Sequence, residues 1–395
     1  MNSTCEIKDR YDAAVVGAGP AGSSLAIRLA MAGHKVVLVE QKKFPRQKLC
    51  GEFISPECLG HFHELGVLSS ITAAGGSQLR ETIFYARNGK GVSVKSEWFG
   101  DGNSSALGLS RAEMDTRLMV RARELGVEVL EETSVIGVLN HGGNVSGIKI
   151  RDKSGNTIEI NASITVDATG RARAVTRLLD SPRAQKSPAK HIAFKTHLTG
   201  VDLTSGACEI YAYRGGYGGC NRVENGLYNV CFIVAAAEAK RFASDPEKIM
   251  RGVLFTNRRA AKALNDARVE KPWLAVPIQS FGRSELTPAS GLLTVGDAAA
   301  FIDPFTGSGM LLALEGSKVA TEAILDCWDD PAKIAINYRI KYAKAFDQRL
   351  KVCEILRRAA FVPFLAESTI YFMGMSSSLR RRLAQLTRVS VEPGV

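Results

Sequence analysis

The sequence lacks any stretch of about 18 apolar residues free of charge and glycine clusters, so a membrane-spanning helix is not expected. Its opening, M-N-S-T-C-E-I-K-D-R-Y-D, lacks an apolar core before a small-residue cleavage site, which argues against a secretion signal and for a cytoplasmic protein. The eight cysteines (Cys5, Cys50, Cys58, Cys208, Cys220, Cys231, Cys327 and Cys353) include no C-x-x-C pair. They are expected as free thiols under reducing conditions. His61 and His63, two residues apart on an expected helix, point different ways, so no metal centre is expected. Internal repeats and low-complexity linkers are also missing, which suggests interleaved domains rather than domains in series.

The bulk composition is that of a globular enzyme. With 45% hydrophobic and 23% charged residues it is neither a disordered chain, a collagen-like repeat nor a disulfide-stapled miniprotein. At 395 residues it exceeds one ordinary core, implying two domains or one with a large insertion. The net charge of +11 points to something anionic: a nucleic acid, a membrane surface or a ligand.

An apolar run over 12–17, a small and apolar segment over 20–32 stopped by Gly33, and K-V-V-L-V-E over 35–40 predict β–α–β, the start of a parallel sheet. The stretch around 50–100 breaks this rhythm, with a turn at Asn88-Gly89. A helix is expected over 111–125 and a strand over 127–130. Hairpins follow at Gly142-Gly143 and Ser154-Gly155-Asn156, then a strand over 164–166 running into Asp167. Residues 176–285 read mostly as β, with glycine-rich turns at Gly215-Gly216 and Gly218-Gly219 and one helix near 245–268. A buried strand over 292–295 precedes a nearly all-helical chain from Gly309.

Gly17, Gly19 and Gly22 form G-x-G-x-x-G between the first strand and its helix. Gly17 permits the tight turn, Gly19 lets backbone approach a pyrophosphate, and Gly22 lets the helix pack close to the strand. The helix start adds unpaired N–H groups and partial positive charge. Glu40, at the end of the second strand, can accept both hydroxyls of a ribose. NAD and FAD both satisfy this pattern. Further on, Asp167-Ala-Thr-Gly170 closes a strand, with Arg171, Arg173 and Arg177 behind it. Asp297 follows another strand, with Pro304, Gly307 and Gly309 bending the chain before a helix from Met310. An acid there suits a polyol such as ribityl, and the helix start suits an anionic reduced flavin.

Together G-A-G-P-A-G, D-A-T-G-R and G-D-A-A-A-F-I-D-P-F-T-G-S-G resemble, in order and spacing over nearly the whole chain, FAD-dependent oxidoreductases of the p-hydroxybenzoate hydroxylase fold. The resemblance implies an α/β (α+β) fold: a Rossmann-like FAD-binding domain, an interleaved antiparallel substrate domain and a helical C-terminus. The expected FAD-binding parts are 1–52, 101–175 and 286–330, the substrate domain 53–100 and 176–285, and the helical region 331–395. It implies that Glu40 binds the adenosine ribose, that Asp297 binds ribityl, and that Arg111 lies along the cofactor. The implied FAD set is Gly17, Gly19, Pro20, Ala21, Gly22, Glu40, Gln41, Cys50, Gly51, Arg111, Asp167, Gly170, Gly296, Asp297, Pro304, Gly307, Gly309 and Met310.

Lys48-Leu-Cys-Gly-Glu52 resembles the C-G-E segment of the geranylgeranyl reductase branch, which saturates isoprenoid double bonds with reduced FAD. Cys50 is thereby a candidate near the flavin, as a low-pKa thiol beside Lys48 or as a small packing residue. The branch's Y-x-W-x-F-P signature is replaced by a glycine-rich stretch over 215–220, where Tyr217 is the remaining aromatic. The W-x-W-x-I-P motif of flavin halogenases is absent, since Trp273 stands alone. The expected activity is reduction of a C=C bond in an apolar isoprenoid-like or related natural product. The alternatives are a monooxygenase acting on an aromatic or polyketide molecule and, further off, a halogenase or an electron carrier. No second G-x-G-x-x-G unit occurs, so NAD(P)H or another reductant is expected to supply electrons from outside.

Over 331–395, 12 Lys or Arg against 4 Asp or Glu carry +8 of the +11. The charge alternates with apolar stretches, including 361–375, and culminates in Arg380-Arg381-Arg382. This suits a helix on anionic headgroups, or a solvated face packed on the cofactor domain. No nucleic-acid motif accompanies it.

Overall fold

The computed structural model describes residues 10–99, 105–179, 188–278, 281–303, 307–361 and 376–386. The first sheet begins with β1 (Arg10–Val16), whose A-A-V-V run is buried on both faces, as a central parallel strand requires. β1 pairs in parallel with β2 (Val36–Val39) and β11 (Thr157–Asp167). Parallel neighbours β8 (Glu128–Leu130) and β19 (Leu292–Thr294) then extend it on either side. The outer half of β11 instead runs antiparallel to β10 (Asn144–Arg151), which pairs with β9 (Ser134–His141).

Alternation divides β1 between two cores. Ala13 and Val15 pack with α1 (Pro20–Met31), α4 (Arg111–Glu124) and α8 (Gly309–Asp326), while Ala14 and Val16 pack with Val145, Ile148 and Ile160 of the antiparallel extension. α9 (Pro331–Phe361) lies against α8 and buries Tyr338, Tyr342 and Phe346 in the first core.

The second sheet has the order β16 (Arg268–Val269), β12 (His191–Thr199), β15 (Tyr228–Ala235), β14 (Gly216–Arg222), β13 (Ala207–Tyr213), β5 (Glu81–Tyr85), β6 (Gly91–Lys95). β17 (Leu274–Ile278) also pairs with β12, and only β5–β13 is parallel. One face, with Phe194, Tyr211, Val230 and Phe232, packs on α6 (Pro246–Gly252) and α7 (Arg258–Leu264). The other presents Ala193, Tyr217 and Ile233 toward the first sheet's loops. Small sheets formed by β3 (Phe53–Ile54), β7 (Ala106–Gly108) and β4 (Ser77–Leu79), and by β18 (Gly282–Arg283) with β20 (Ala300–Phe301), lie between the two.

Three expectations need correction. Residues 53–100 do not all belong with the substrate side. α2 (Glu57–Glu64) and α3 (Leu68–Thr72) bury Cys58, Phe62 and Ile71 in the first core, and only β5 and β6 join the second sheet. Gly218-Gly219 is not a turn but the middle of β14, where a Cβ would stand 2.8 Å from Phe232 and 2.9 Å from Ile210 respectively. The turn is at Gly215, with φ +78. The helix near 245–268 is three pieces, because Asn257 accepts the Arg259 and Ala260 amides as a new cap while its own amide reaches the Tyr85, Ala86 and Ala212 carbonyls. The two helical histidines do diverge: His61 turns to Arg28 and Glu64, and His63 is exposed.

Candidate active site

A cavity of about 990 Å³ takes one wall from the first sheet's loops and the other from the second sheet. The first wall is made of turns. Gly17 has φ +104, and a Cβ there would lie 2.5 Å from the Ala168 carbonyl oxygen. Gly22 does not line the cavity; a Cβ on it would sit 1.9 Å from the Gly17 carbonyl oxygen, so it sets the approach of α1 to the turn. Gly19 caps α1 without any side-chain acceptor, and Pro20 follows at its start with no acid in the first turn. The helix therefore opens bare N–H groups onto the cavity.

Glu40, 8% exposed, is fixed at the end of β2: Oε2 accepts the Ala18 amide at 3.0 Å and Oε1 the Lys42 amide at 2.9 Å. Arg46 reaches it at 3.3 Å and Asp115 at 3.0 Å. Asp115 is fully buried and grips Arg111 through two bonds of 2.7 and 2.8 Å. Burial opposes the Arg111 charge, but Asp115 outweighs it and raises the guanidinium's pKa, with the Cys50 thiol alongside. Cys50 Sγ also accepts the Glu52 amide at 3.4 Å.

Asp297 follows β19 on a short helical turn, and burial pushes its carboxyl up against the pull of Arg171, Arg111 and Lys48. α8 starts beside it, also with no side-chain cap and no acid in its first turn. Two open helix N-termini and two carboxylates thus face one space, a donor set suited to a dinucleotide's phosphates, ribose and polyol.

Gly17, Gly19, Pro20, Ala21, Glu40, Gln41, Cys50, Gly51, Arg111, Gly170, Gly296, Asp297, Gly307, Gly309, Met310 and Tyr217 all line this cavity. Pro304 lies outside the described residues. Asp167 does not line this cavity: fully buried, it accepts the amides and hydroxyls of Thr169 and Thr176, at 2.6 to 3.0 Å, and shapes the turn that presents Gly170.

The second wall is apolar, with Phe84, Val94, Ile210, Ala212, Ile233 and Val276. Tyr217 donates its hydroxyl to the buried carboxylate of Asp303, and burial together with that carboxylate raises the phenol well above its ordinary range. Residues that sequence reasoning passed over include Asp115, Asp303 and a buried group around Glu52. Glu52 Oε2 meets His197 Nε2 at 2.6 Å, Lys195 donates to its other oxygen, and the Arg111 amide does so at 2.8 Å. Burial alone would raise the Glu52 carboxyl, but His197 and Lys195 outweigh it and hold it low. The signal for Lys195 and His197 was two polar residues at i, i+2 in a strand, which a solvent-facing strand shows equally well.

The family model described as an FAD binding domain matches residues 10–321. The chain belongs to that family. It is an FAD-dependent oxidoreductase, and the cavity's donor set fits the cofactor. Its relatives include digeranylgeranylglycerophospholipid reductases of Methanothrix thermoacetophila, 30% identical over 80% of this chain and 78% of that one, and of Methanosarcina mazei, 29% over 80% and 75%. A menaquinone reductase of Mycolicibacterium smegmatis is 28% identical over 79% and 76%. Among solved structures, a flavin-dependent brominase superposes with TM-score 0.80 at 20% identity, over 96% of this chain and 93% of that one. A geranylgeranyl bacteriochlorophyll reductase-like protein of Thermoplasma acidophilum gives 0.77 at 20%, over 95% and 96%. Both share the fold.

Proposed function

We propose that this enzyme reduces a C=C bond of an apolar, isoprenoid-like substrate. The observation that carries the reading is the continuity of one cavity from the dinucleotide loops to an apolar wall on the second sheet, with the C-G-E loop at their junction. Relatives named as reductases, two of the three reported above acting by name on a digeranylgeranyl lipid, support it.

In this reading Glu40 holds the adenosine ribose, the α1 start the pyrophosphate, and Asp297 the ribityl chain. Bound FAD supplies the two-electron chemistry, recharged by NAD(P)H or another reductant. The apolar wall excludes water and orients the alkene. Tyr217, kept protonated by burial and by its bond to Asp303, lines the chamber and is proposed to orient the substrate, while water or another positioned acid supplies the proton.

The basic C-terminus fits a membrane-surface role. The helix Ser377–Leu386 packs against β6 and the turn Ser96–Trp98, with Arg380 at the cavity lining and Arg381 and Arg382 exposed. The apolar stretch 362–375 lies outside the described residues, and no helix among those described is long and apolar enough to cross a membrane.

The test is anaerobic. The FAD-loaded protein is reduced with NAD(P)H, or with dithionite where neither nucleotide bleaches the flavin, then mixed with polyprenyl alkenes. Flavin reoxidation with a product two mass units heavier is expected. Reoxidation that demands oxygen and yields an oxygenated product would instead establish the monooxygenase reading.

A further inference from the structure

The face of the second sheet that walls the cavity is apolar at Ala193, Tyr217 and Ile233, but two to four residues along the strands its character changes. Lys195 and His197 of β12, Asn221 of β14 and Asn229 of β15 are each no more than 2% exposed. All four turn onto one loop. Lys195 Nζ donates to the Glu52 carboxylate and, at 3.1 Å, to the Lys48 carbonyl. His197 Nε2 meets Glu52 Oε2 at 2.6 Å. Asn221 donates to the Glu52 carbonyl at 3.3 Å, and Asn229 to the Gly51 and Cys50 carbonyls at 2.8 and 3.3 Å.

Sheet pairing does not call for these side chains, since β12, β14 and β15 are joined through their backbones. Apolar residues of similar volume would commonly be as stable or more so than a buried ion pair. What the four residues share is the loop. Glu52 itself has φ +52, a left-handed conformation that a non-glycine residue keeps only where its surroundings over-determine it. Its carboxylate is further tied to the α4 start through the Arg111 amide, at 2.8 Å. The loop it closes carries Cys50, which faces the cavity and the Arg111 guanidinium.

We propose that Lys195, His197, Asn221 and Asn229 form a clamp by which the substrate-side sheet positions the 48–52 loop, and with it Cys50, against the cofactor. Lys195, His197 and Asn229 do not line the cavity. They are positioning residues, acting through the loop. The consequence for turnover rests on the functional reading above; the placement of Cys50 does not.

The experiment uses FAD-loaded wild type, Lys195→Met, Asn229→Ala and the double variant Glu52→Gln/Lys195→Met. Each is treated with iodoacetamide under argon, and alkylation of Cys50 and of fully buried Cys220 is followed by peptide mass spectrometry beside the melting temperature. In Lys195→Met, Cys50 is expected to react at least tenfold faster while Cys220 stays protected and flavin remains bound. Asn229→Ala, which strands no charge, is expected to shift Cys50 the same way by several-fold, and serves if the lysine variant does not fold. The double variant is expected to melt closer to wild type, because no buried charge is left alone, yet to keep a fast-reacting Cys50. Unchanged Cys50 rates in both single variants would overturn the clamp. So would a parallel gain at Cys220, or Cys50 protection returning with stability in the double variant. Alkylation needs no alkene, so failure of the reductase reading would appear in turnover and leave this readout standing.

Discussion

Glu52 concentrates several opposing effects in one residue. It is fully buried, its backbone is left-handed, and its carboxyl is nevertheless held below the ordinary range by His197 and Lys195. A lowered folded pKa means the ionised carboxylate adds stability above the unfolded value, near about 4.3, and that this is lost as pH falls through the folded value. Urea midpoints measured from neutral pH down to about pH 3 should therefore drop more steeply for wild type than for Glu52→Gln, with the gap closing at the acid end. Parallel curves would show that Glu52 gains nothing from its ionisation. The sequence made Cys50 the residue of interest in this segment. The partners that fix its neighbour lie 143 and 145 residues away in the chain, beyond the reach of any spacing argument.

At the scale of elements, α1 shows a motif whose physics is local. Its glycines, its uncapped N-terminus and Glu40 all come from one β–α–β unit, so residue order alone implies their arrangement. Gly22 is the most exacting position, because its Cβ would overlap the Gly17 carbonyl. Gly22→Ala should push α1 off the turn at a cost of about 1–3 kcal/mol. Flavin per protein, read by absorbance after desalting, is expected to fall at least tenfold, whereas Gly33→Ala, in open space past the helix end, tests the cost of losing a positive-φ glycine alone. Other elements were less legible. The short helices around Asn257 and the strand through Gly218 and Gly219 depend on neighbours in β5, β13 and β15. A polar cap and a glycine pair look like turn signals until those neighbours are known.

Across the whole molecule, the positive charge gathers at the C-terminus, and the helix Ser377–Leu386 meets the second sheet beside the cavity. On the proposed membrane-surface role, the exposed Arg381 and Arg382, next to Arg380 at the cavity lining, would meet the headgroups. Flotation with vesicles containing phosphatidylglycerol should capture wild type at low salt and release it at about 0.5 M, where screening is nearly complete. At about 1 kcal/mol per basic residue near such a surface, Arg381→Glu/Arg382→Glu should weaken capture by tenfold or more. Capture insensitive to both salt and charge reversal would assign the basic helix to packing instead.

The chain order by itself pointed to the dinucleotide-binding unit, its resemblance to a known family pointed to FAD, and both put Glu40 and Asp297 at strand ends that the structure places along one cavity, because turns and helix starts of this kind are built within short segments. It could not show that Asp167 faces its own turn rather than the cavity, since a strand-end acid serves either purpose. Only the tertiary structure decided what surrounds Cys50. Asn229 holds the Cys50 and Gly51 carbonyls across separations of 179 and 178 residues, and such contacts exist only once the two sheets have closed on each other.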